Sequence, residues 1–310
     1  MFAKRLPALA SLMALGLLLA SCAAVSQMDD GRVRFMEVGP AGAQVKIAYQ
    51  ERGRGKPVLL IHGFGASAYT WRHVEPALED RYRVISIDLK GFGRSDKPLD
   101  ERYSVFDQAE LVSEFIDKLG LKDLTIVGHS LGGGVALVLA IDTDTKRRSR
   151  ITRLALVDSI AYPQNIPIAF DLLTTPVVGS LGNRLIPSSL KTRAALRLAY
   201  HDNSKYTEED VEAYSAPLRD PGTRHAMEQT ARQIMPENLP EIARKYTTIQ
   251  VPVLVLWCRH DKVVPLAIGW RLHRELPNSK FKVISECGHL PQEEMPEETV
   301  ATLKAFLAGG

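Results

Sequence analysis

Gly128-His129-Ser130-Leu131-Gly132 has the residue types and spacing of a nucleophilic centre. A short apolar run, residues 124–127, precedes it, and an apolar helical pattern beginning near Leu131 runs on through 135–141. A serine at such a strand-to-helix turn sits in strained backbone, with its hydroxyl pushed out above the sheet. Gly128 and Gly132 add no Cβ, so strand and helix can approach closely. The helix N-terminus just after Ser130 offers unpaired N–H groups to a developing anion. A serine hydroxyl is a poor nucleophile at neutral pH: it needs a base within hydrogen-bond reach, and the base needs an orienting acid. His289, in Glu286-Cys287-Gly288-His289, follows the apolar run 281–285, and Asp261, in Cys258-Arg259-His260-Asp261, follows the run 251–257. Both therefore lie just past a strand, where ligands sit in parallel sheets. Asp158, at the end of the run 151–158, is the other candidate for the acid. Of the remaining histidines, His129 reads as packed beneath the serine, His62 as bracing a loop and His260 as exposed.

The elements that must carry these residues alternate in type. Residues 33–38 and 44–50 form a strand pair around the Gly39-Pro40 turn. The runs 57–61, 83–89, 124–127, 151–158, 251–257 and 281–285 read as buried strands. Between them lie helical patterns at 66–78, 104–119 (Ser104 as cap, Gly120 as stop), 264–276 and 296–307. The repeated strand-then-helix order implies a doubly wound, mostly parallel sheet covered on both faces. From 161 to 250 the alternation breaks: prolines separate short helical patches with no strand between them, so this segment reads as a helical lid. Its aliphatic residues Ile166, Ile168, Phe170, Leu172 and Leu173 favour an apolar substrate group.

At 310 residues, 45% hydrophobic and 24% charged, the chain can bury a full globular core. The formal charge is +3, and Lys4 and Arg5 supply two of those charges, so removal of the first 21 residues leaves +1. That balance gives no reason to expect nucleic acid as a partner. Gly91-Phe92-Gly93 is not followed directly by a helix, which excludes a dinucleotide fingerprint, and Gly53-Arg54-Gly55-Lys56 lacks the spacing of a phosphate loop. There is no C-x-x-C pair and the histidines are scattered, so no metal site and no cofactor are expected.

The N-terminus reads as an address. Two cations precede the nearly all-apolar stretch 6–20, which is short for a membrane span and ends in Leu19-Ala20-Ser21-Cys22. That tetrad resembles the lipobox of bacterial lipoproteins, which implies cleavage after residue 21 and lipidation of Cys22. The alternative is an ordinary signal peptide cut near Ala23 or Ala24. Residues 22–31 would be a tether, and acyl chains would anchor an exported protein to a bacterial membrane, leaning to the outer membrane because Ala23 and not an aspartate follows the cysteine.

From about 45 to 306 the chain resembles the α/β-hydrolase fold superfamily, in its lipase/esterase and meta-cleavage-hydrolase-like branch. The resemblance rests on His62-Gly63-Phe64-Gly65, Asp88 with Gly91-Phe92-Gly93-Arg94-Ser95, Gly128-His129-Ser130-Leu131-Gly132-Gly133, Asp261 with Val263-Val264-Pro265, and Gly288-His289. The chain order Ser130, Asp261, His289 is the one that superfamily uses. By the resemblance the oxyanion hole is the backbone N–H groups of Phe64 and Leu131, one such donor contributing about 3–4 kcal/mol of transition-state stabilisation. Relatives that act as dehalogenases or epoxide hydrolases carry aspartate where this chain has Ser130, which speaks against those activities. Cys258 and Cys287 follow strands that are neighbours in this fold, and an oxidising compartment permits a bridge between them, two free thiols being the alternative. The expected organisation is a signal peptide at 1–21, a tether at 22–31, a core at 32–160 and 251–310, and a lid at 161–250. The expected activity is hydrolysis of a small-molecule ester through an acyl-enzyme. The alternatives are carbon–carbon bond hydrolysis or perhydrolysis by the same triad, and a non-catalytic receptor on the same fold.

Overall fold

The computed structural model describes residues 33–142, 144–164 and 186–309. The signal segment 1–21, Cys22, the tether 22–31 and the aliphatic lid residues Ile166, Ile168, Phe170, Leu172 and Leu173 lie outside the described residues.

Eight strands form one sheet: β1 (Arg34–Val38), β2 (Val45–Arg52), β3 (Lys56–Ile61), β4 (Tyr82–Ile87), β5 (Leu124–His129), β6 (Ile151–Val157), β7 (Val253–Cys258) and β8 (Ser279–Ile284). Their spatial order is β1-β2-β4-β3-β5-β6-β7-β8. Strand β2 is antiparallel to β1 and β4, and every other pairing is parallel. The longer helices are α1 (Val105–Lys118), α2 (Leu131–Ala140), α3 (Ser188–Ala199), α4 (Glu208–Ser215), α5 (Pro221–Gln233), α6 (Leu266–Glu275) and α7 (Pro296–Leu307).

Successive strand residues face opposite sides, and the core divides accordingly. Leu59, Ile61, Ile126, Leu154 and Val255 pack with α1, α2 and α6 on one face, while Val58, Leu60, Val127, Ala155 and Leu254 pack with Trp71, Leu78 and α7 on the other. Helix α2 is almost wholly buried, which is why its sequence, Leu-Gly-Gly-Gly-Val-Ala-Leu-Val-Leu-Ala, shows no polar face. Helix α1 begins at a capping box in which Ser104 and Asp107 satisfy each other's backbone N–H groups.

One expected element is different. Residues 66–78 form a 3-10 turn, Ala68–Trp71, and a separate helical turn, Glu75–Leu78, not one helix. Pro76 explains the break, because its ring and missing N–H are tolerated only in a helix's first turn. Between β6 and β7 the described chain is helical, with α3, α4 and α5 followed by a short turn, Leu239–Arg244. Leu196, Tyr200 and Val211 of this segment share a small core with Leu290, the residue after His289.

Candidate active site

Going outward from β3 the chain runs first to β4 and then, beyond it in sequence, returns to place β5 on the other side. At such a reversal of strand order, open parallel sheets bind ligands in a crevice beyond the carboxyl ends of the strands, here β3 and β5. Phe64 follows β3 and Ser130 follows β5, so the two flank that crevice. Asp158, Asp261 and His289 follow β6, β7 and β8 at the same end of the sheet.

Ser130 has φ 53° and ψ −116°, a conformation that costs a non-glycine residue about 1–3 kcal/mol. The surroundings fix it. Its N–H donates to Val157 O at 3.0 Å, and its carbonyl accepts from Gly133 at 3.0 Å and Ile160 at 3.1 Å. A Cβ at Gly128 would meet Gly132 O at 2.3 Å, and one at Gly132 would meet Ile61 O at 2.3 Å, so only glycine fits on either side of the turn. A Cβ at Gly63 would stand 3.0 Å from Ser130 Cβ, which measures how closely the loop after β3 approaches the serine. Leu131 opens α2, so its N–H has no acceptor one turn back within the helix and points out of its N-terminus.

His289 donates from Nδ1 to Asp261 Oδ2 at 2.8 Å. The other oxygen of Asp261 accepts the N–H groups of Val263 (2.7 Å) and Val264 (2.9 Å), so the carboxylate is oriented from three sides. Ser130, Asp261 and His289 are all nearly buried. No described hydrogen bond joins the Ser130 hydroxyl to His289 Nε2. Such bonds tighten as the reacting complex forms.

Asp158 lies beside Asp261, wholly buried, with φ 42°. Its Oδ1 accepts the Cys258 N–H at 2.9 Å, while its Oδ2 is buried with no hydrogen-bond partner among the described residues. Burial first, and then the Asp261 charge, pushes the Asp158 carboxyl well above the usual range. Both causes favour the neutral form of Asp158. Of the two candidate acids, it is Asp261 that pairs with the imidazole.

Two further histidines brace backbone. His62 Nε2 accepts the Leu89 N–H at 2.9 Å, so Nδ1 carries the proton and donates to Gly63 O at 2.7 Å. Burial lowers its pKa, against the pull of Asp88, and it stays neutral. His129 donates from Nε2 to His289 O at 2.7 Å, and burial, followed by the neighbouring His289, holds its pKa well below the ordinary value. The Asp88 motif is structural: its carboxylate accepts the N–H groups of Ala68 and Arg94, both at 2.7 Å.

Cys258 and Cys287 are joined as a disulfide with Cα atoms 5.0 Å apart, tying the ends of β7 and β8 just before Asp261 and His289. Sequence reasoning missed two buried glutamates beyond His289. Glu294 accepts the N–H groups of Gly288 (2.7 Å), His201 (3.0 Å) and Asp202 (2.7 Å), while His289 donates its own N–H to Ala199 O. A Cβ at Gly288 would meet Ala199 O at 2.1 Å, so glycine there lets the helical segment lie against the histidine loop. Glu293 pairs with Arg72 at 2.7 Å, and Arg72 reaches Asp210 of α4 at 2.6 Å. Thr70, Tyr200 and Tyr214 also donate to Glu293. In the sequence, Glu293-Glu294 reads as an ordinary exposed acidic pair, and no local pattern marks it.

A serine at a strained strand–helix turn, with a carboxylate-paired histidine from a later loop of one mostly parallel sheet, defines a hydrolase of the α/β class. Residues 56–296 match the family model for the alpha/beta hydrolase fold, and the chain belongs to that family. It is 32% identical to the hydrolase YugF of Bacillus subtilis over 250 residues, 80% of this chain and 88% of that protein. It is 31% identical to a 2-hydroxymuconate semialdehyde hydrolase of Pseudomonas putida, over 88% of this chain and 93% of that one. Among solved structures, a membrane phospholipase A described as a bacterial virulence factor aligns with TM-score 0.74 and 27% identity, over 96% of this chain and 97% of that one. The meta-cleavage product hydrolase of Pseudomonas fluorescens IP01 aligns with TM-score 0.74 and 26% identity, over 90% and 99%.

Proposed function

We propose that this hydrolase cleaves a carboxylic ester bearing an apolar acyl group, through an acyl-enzyme on Ser130. The observation that carries the proposal is the His289–Asp261 pair at 2.8 Å, presented at the same sheet end as a serine held at φ 53°. His289 Nε2 takes the Ser130 proton as Oγ attacks the acyl carbon, and Asp261 stabilises the resulting imidazolium. The oxyanion is received by the N–H groups of Leu131 and Phe64. His289 then returns the proton to the leaving alcohol, and a water repeats the sequence to release the acid and free the serine. An apolar acyl group is supported by the flanking surface. Phe64 packs on Phe92 with ring centroids 6.1 Å apart, and the Met227 methyl lies 3.5 Å from where a Cβ of Gly65 would stand. Helix α5 thus brings apolar atoms over the Phe64 loop, and residues 161–250 act as the lid.

Likeness to the 2-hydroxymuconate semialdehyde hydrolase favours a second reading, carbon–carbon cleavage of a meta-cleavage product by the same triad. Arg72 and Lys90 are both paired with carboxylates, Arg72 with Glu293 and Lys90 with Asp100, each at 2.7 Å. Initial rates on p-nitrophenyl esters of graded chain length, beside a 2-hydroxy-6-oxo-dienoate, test the choice. Ester turnover that rises with chain length and exceeds dienoate cleavage is expected, and the reverse ranking would replace the ester reading with the carbon–carbon one.

The same reading makes Cys22 the lipidated first residue of an exported, membrane-anchored enzyme, supported by the pattern of residues 1–22. Among the described residues no helix is long and apolar enough to cross a membrane. Fractionation that finds the protein only in the soluble periplasm would refute the anchor. The disulfide fits that compartment, and complete alkylation of Cys258 and Cys287 without reductant would remove it from the account.

A further inference from the structure

His201, His260 and Glu286 come from three distant parts of the sequence and meet above the site. His201 follows α3 in the helical segment, His260 precedes Asp261, and Glu286 lies three residues before His289. One ligand atom from each lies within 4.8 Å of the others. The two imidazoles stack at 4.1 Å between centroids and 12° between planes. Among the described residues, no hydrogen bond is made by a ring nitrogen of either. Glu286 stands 3.6 Å from His201 Nε2, too far for a tight hydrogen bond, and Asp202 is a second carboxylate within electrostatic reach of His201. Three ligand-type groups thus come close together, two imidazoles and one carboxylate, and because the stacked rings hold their in-plane lone pairs nearly parallel, one ring must turn for both to meet a single ion.

The backbone under these donors is rigid. The His260 N–H donates to Cys287 O at 3.0 Å, one residue from Glu286, and the Cys258–Cys287 bridge ties the same two loops. The His201 N–H is held by Glu294, which also holds the Gly288 N–H. Only side-chain torsions remain free. Around a tetrahedral zinc ion, with bonds of about 2.0–2.2 Å, neighbouring donors stand about 3.3 Å apart. The three groups need to close by about 1.5 Å, which torsions of unburied side chains supply. The donor set suits the zinc, nickel and copper end of the divalent series, and hard cations that prefer all-oxygen sites fit it poorly.

We propose that His201, His260 and Glu286 form a binding site for one divalent transition-metal ion of the zinc class. The ion joins the helical segment to the loops that carry Asp261 and His289, with water completing its coordination. The site lies outside the Ser130 chemistry and holds whichever bond the enzyme cleaves. It also explains why the sequence showed no metal spacing: the donors are separated by 59 and 26 positions and meet only in the fold.

The test is titration of the untagged, chelator-stripped full-length chain with zinc chloride by calorimetry, and with cobalt(II) by visible absorption. About one zinc per chain is expected, with cobalt bands of a low-coordinate site and a melting temperature about 5 °C higher in zinc at a hundredfold excess over its dissociation constant. His260→Ala and Glu286→Gln should each weaken zinc binding at least about tenfold, and His73→Ala should leave it unchanged. All three side chains are unburied or half-buried, and circular dichroism establishes that each variant is folded. Absence of zinc binding to the folded wild type, or binding of equal strength in both His260→Ala and Glu286→Gln, would overturn the proposal. Neither outcome touches the hydrolase reading, because the readout is metal and not turnover.

Discussion

Around Ser130 the chain is held by its own backbone, whereas residues 186–249 are held to the sheet by buried carboxylates. The serine turn is fixed by hydrogen bonds to Val157 and Ile160 and by glycines that admit no Cβ. The helical segment is fixed by Glu294 accepting three N–H groups and by Arg72 bridging Glu293 and Asp210. The first arrangement stores strain at a point and tolerates no movement. The second concentrates its hold in a few charge-assisted contacts, so the cover over the site can be loosened without disturbing the turn beneath. Preorganisation and substrate admission are thus assigned to different kinds of force.

Substitutions at the two regions should separate in what they change. Ser130→Ala and His289→Ala should each lower kcat/KM for a short acyl ester by about 10⁴–10⁶-fold with little change in melting temperature. Ser130→Gly sharpens the contrast. It should be equally inactive yet more stable by about 1 kcal/mol in urea unfolding, because glycine accepts φ 53° without strain. A less stable glycine variant would show that the turn is not strained. Asp261→Asn should cost about 10⁴-fold, whereas Asp158→Asn should stay within about threefold of wild type, since a neutral amide matches the neutral form that burial favours there and its oxygen can still accept the Cys258 N–H.

Arg72→Met acts on the other region. It leaves the fully buried Glu293 side chain without its cation and should destabilise the fold by about 3 kcal/mol while reducing activity far less than Ser130→Ala. Glu294→Gln should cost about 1.5–3 kcal/mol, because an amide cannot accept the three N–H groups now held by the carboxylate. Denaturant midpoints measured beside initial rates distinguish these outcomes.

The smallest effects concern pH. Burial alone would raise the Asp210 carboxyl, but hydrogen bonds from Thr207 and the Arg72 charge hold it low in the fold. Its contribution is therefore present above the unfolded value of about 4 and lost as pH falls through the lower folded value. Asp158 has the opposite sign. Its raised carboxyl stays protonated in the fold, so ionisation above about pH 4 favours the unfolded chain, and Asp158→Asn should raise the melting temperature at pH 7 but not at pH 3. Thermal unfolding of wild type and Asp158→Asn across that range reads the difference directly.

The same division decides how much the sequence could reveal. The parallel sheet and the serine turn were legible because both are written in local pattern: apolar runs bounded by turn residues, and glycines two places either side of Ser130. Asp261 and His289 were legible as residues just past strands. The preference for Asp261 over Asp158 rested on the superfamily's chain order and not on local pattern, because β6 and β7 are adjacent and parallel and deliver both carboxylates to one place. The split of residues 66–78 into two turns follows from Pro76, which reading the stretch as one helix left out of account. The hold on the helical segment was illegible, because Arg72 meets partners 138 and 221 residues away.

The central claim is that Ser130 is a nucleophile activated by His289. It is tested most directly by treating the folded protein with a fluorescent fluorophosphonate and mapping the labelled peptide by mass spectrometry. The account predicts one label per chain on Ser130, absent in Ser130→Ala and nearly absent in His289→Ala. A folded wild type that takes no label, or label of equal yield in His289→Ala, would contradict it.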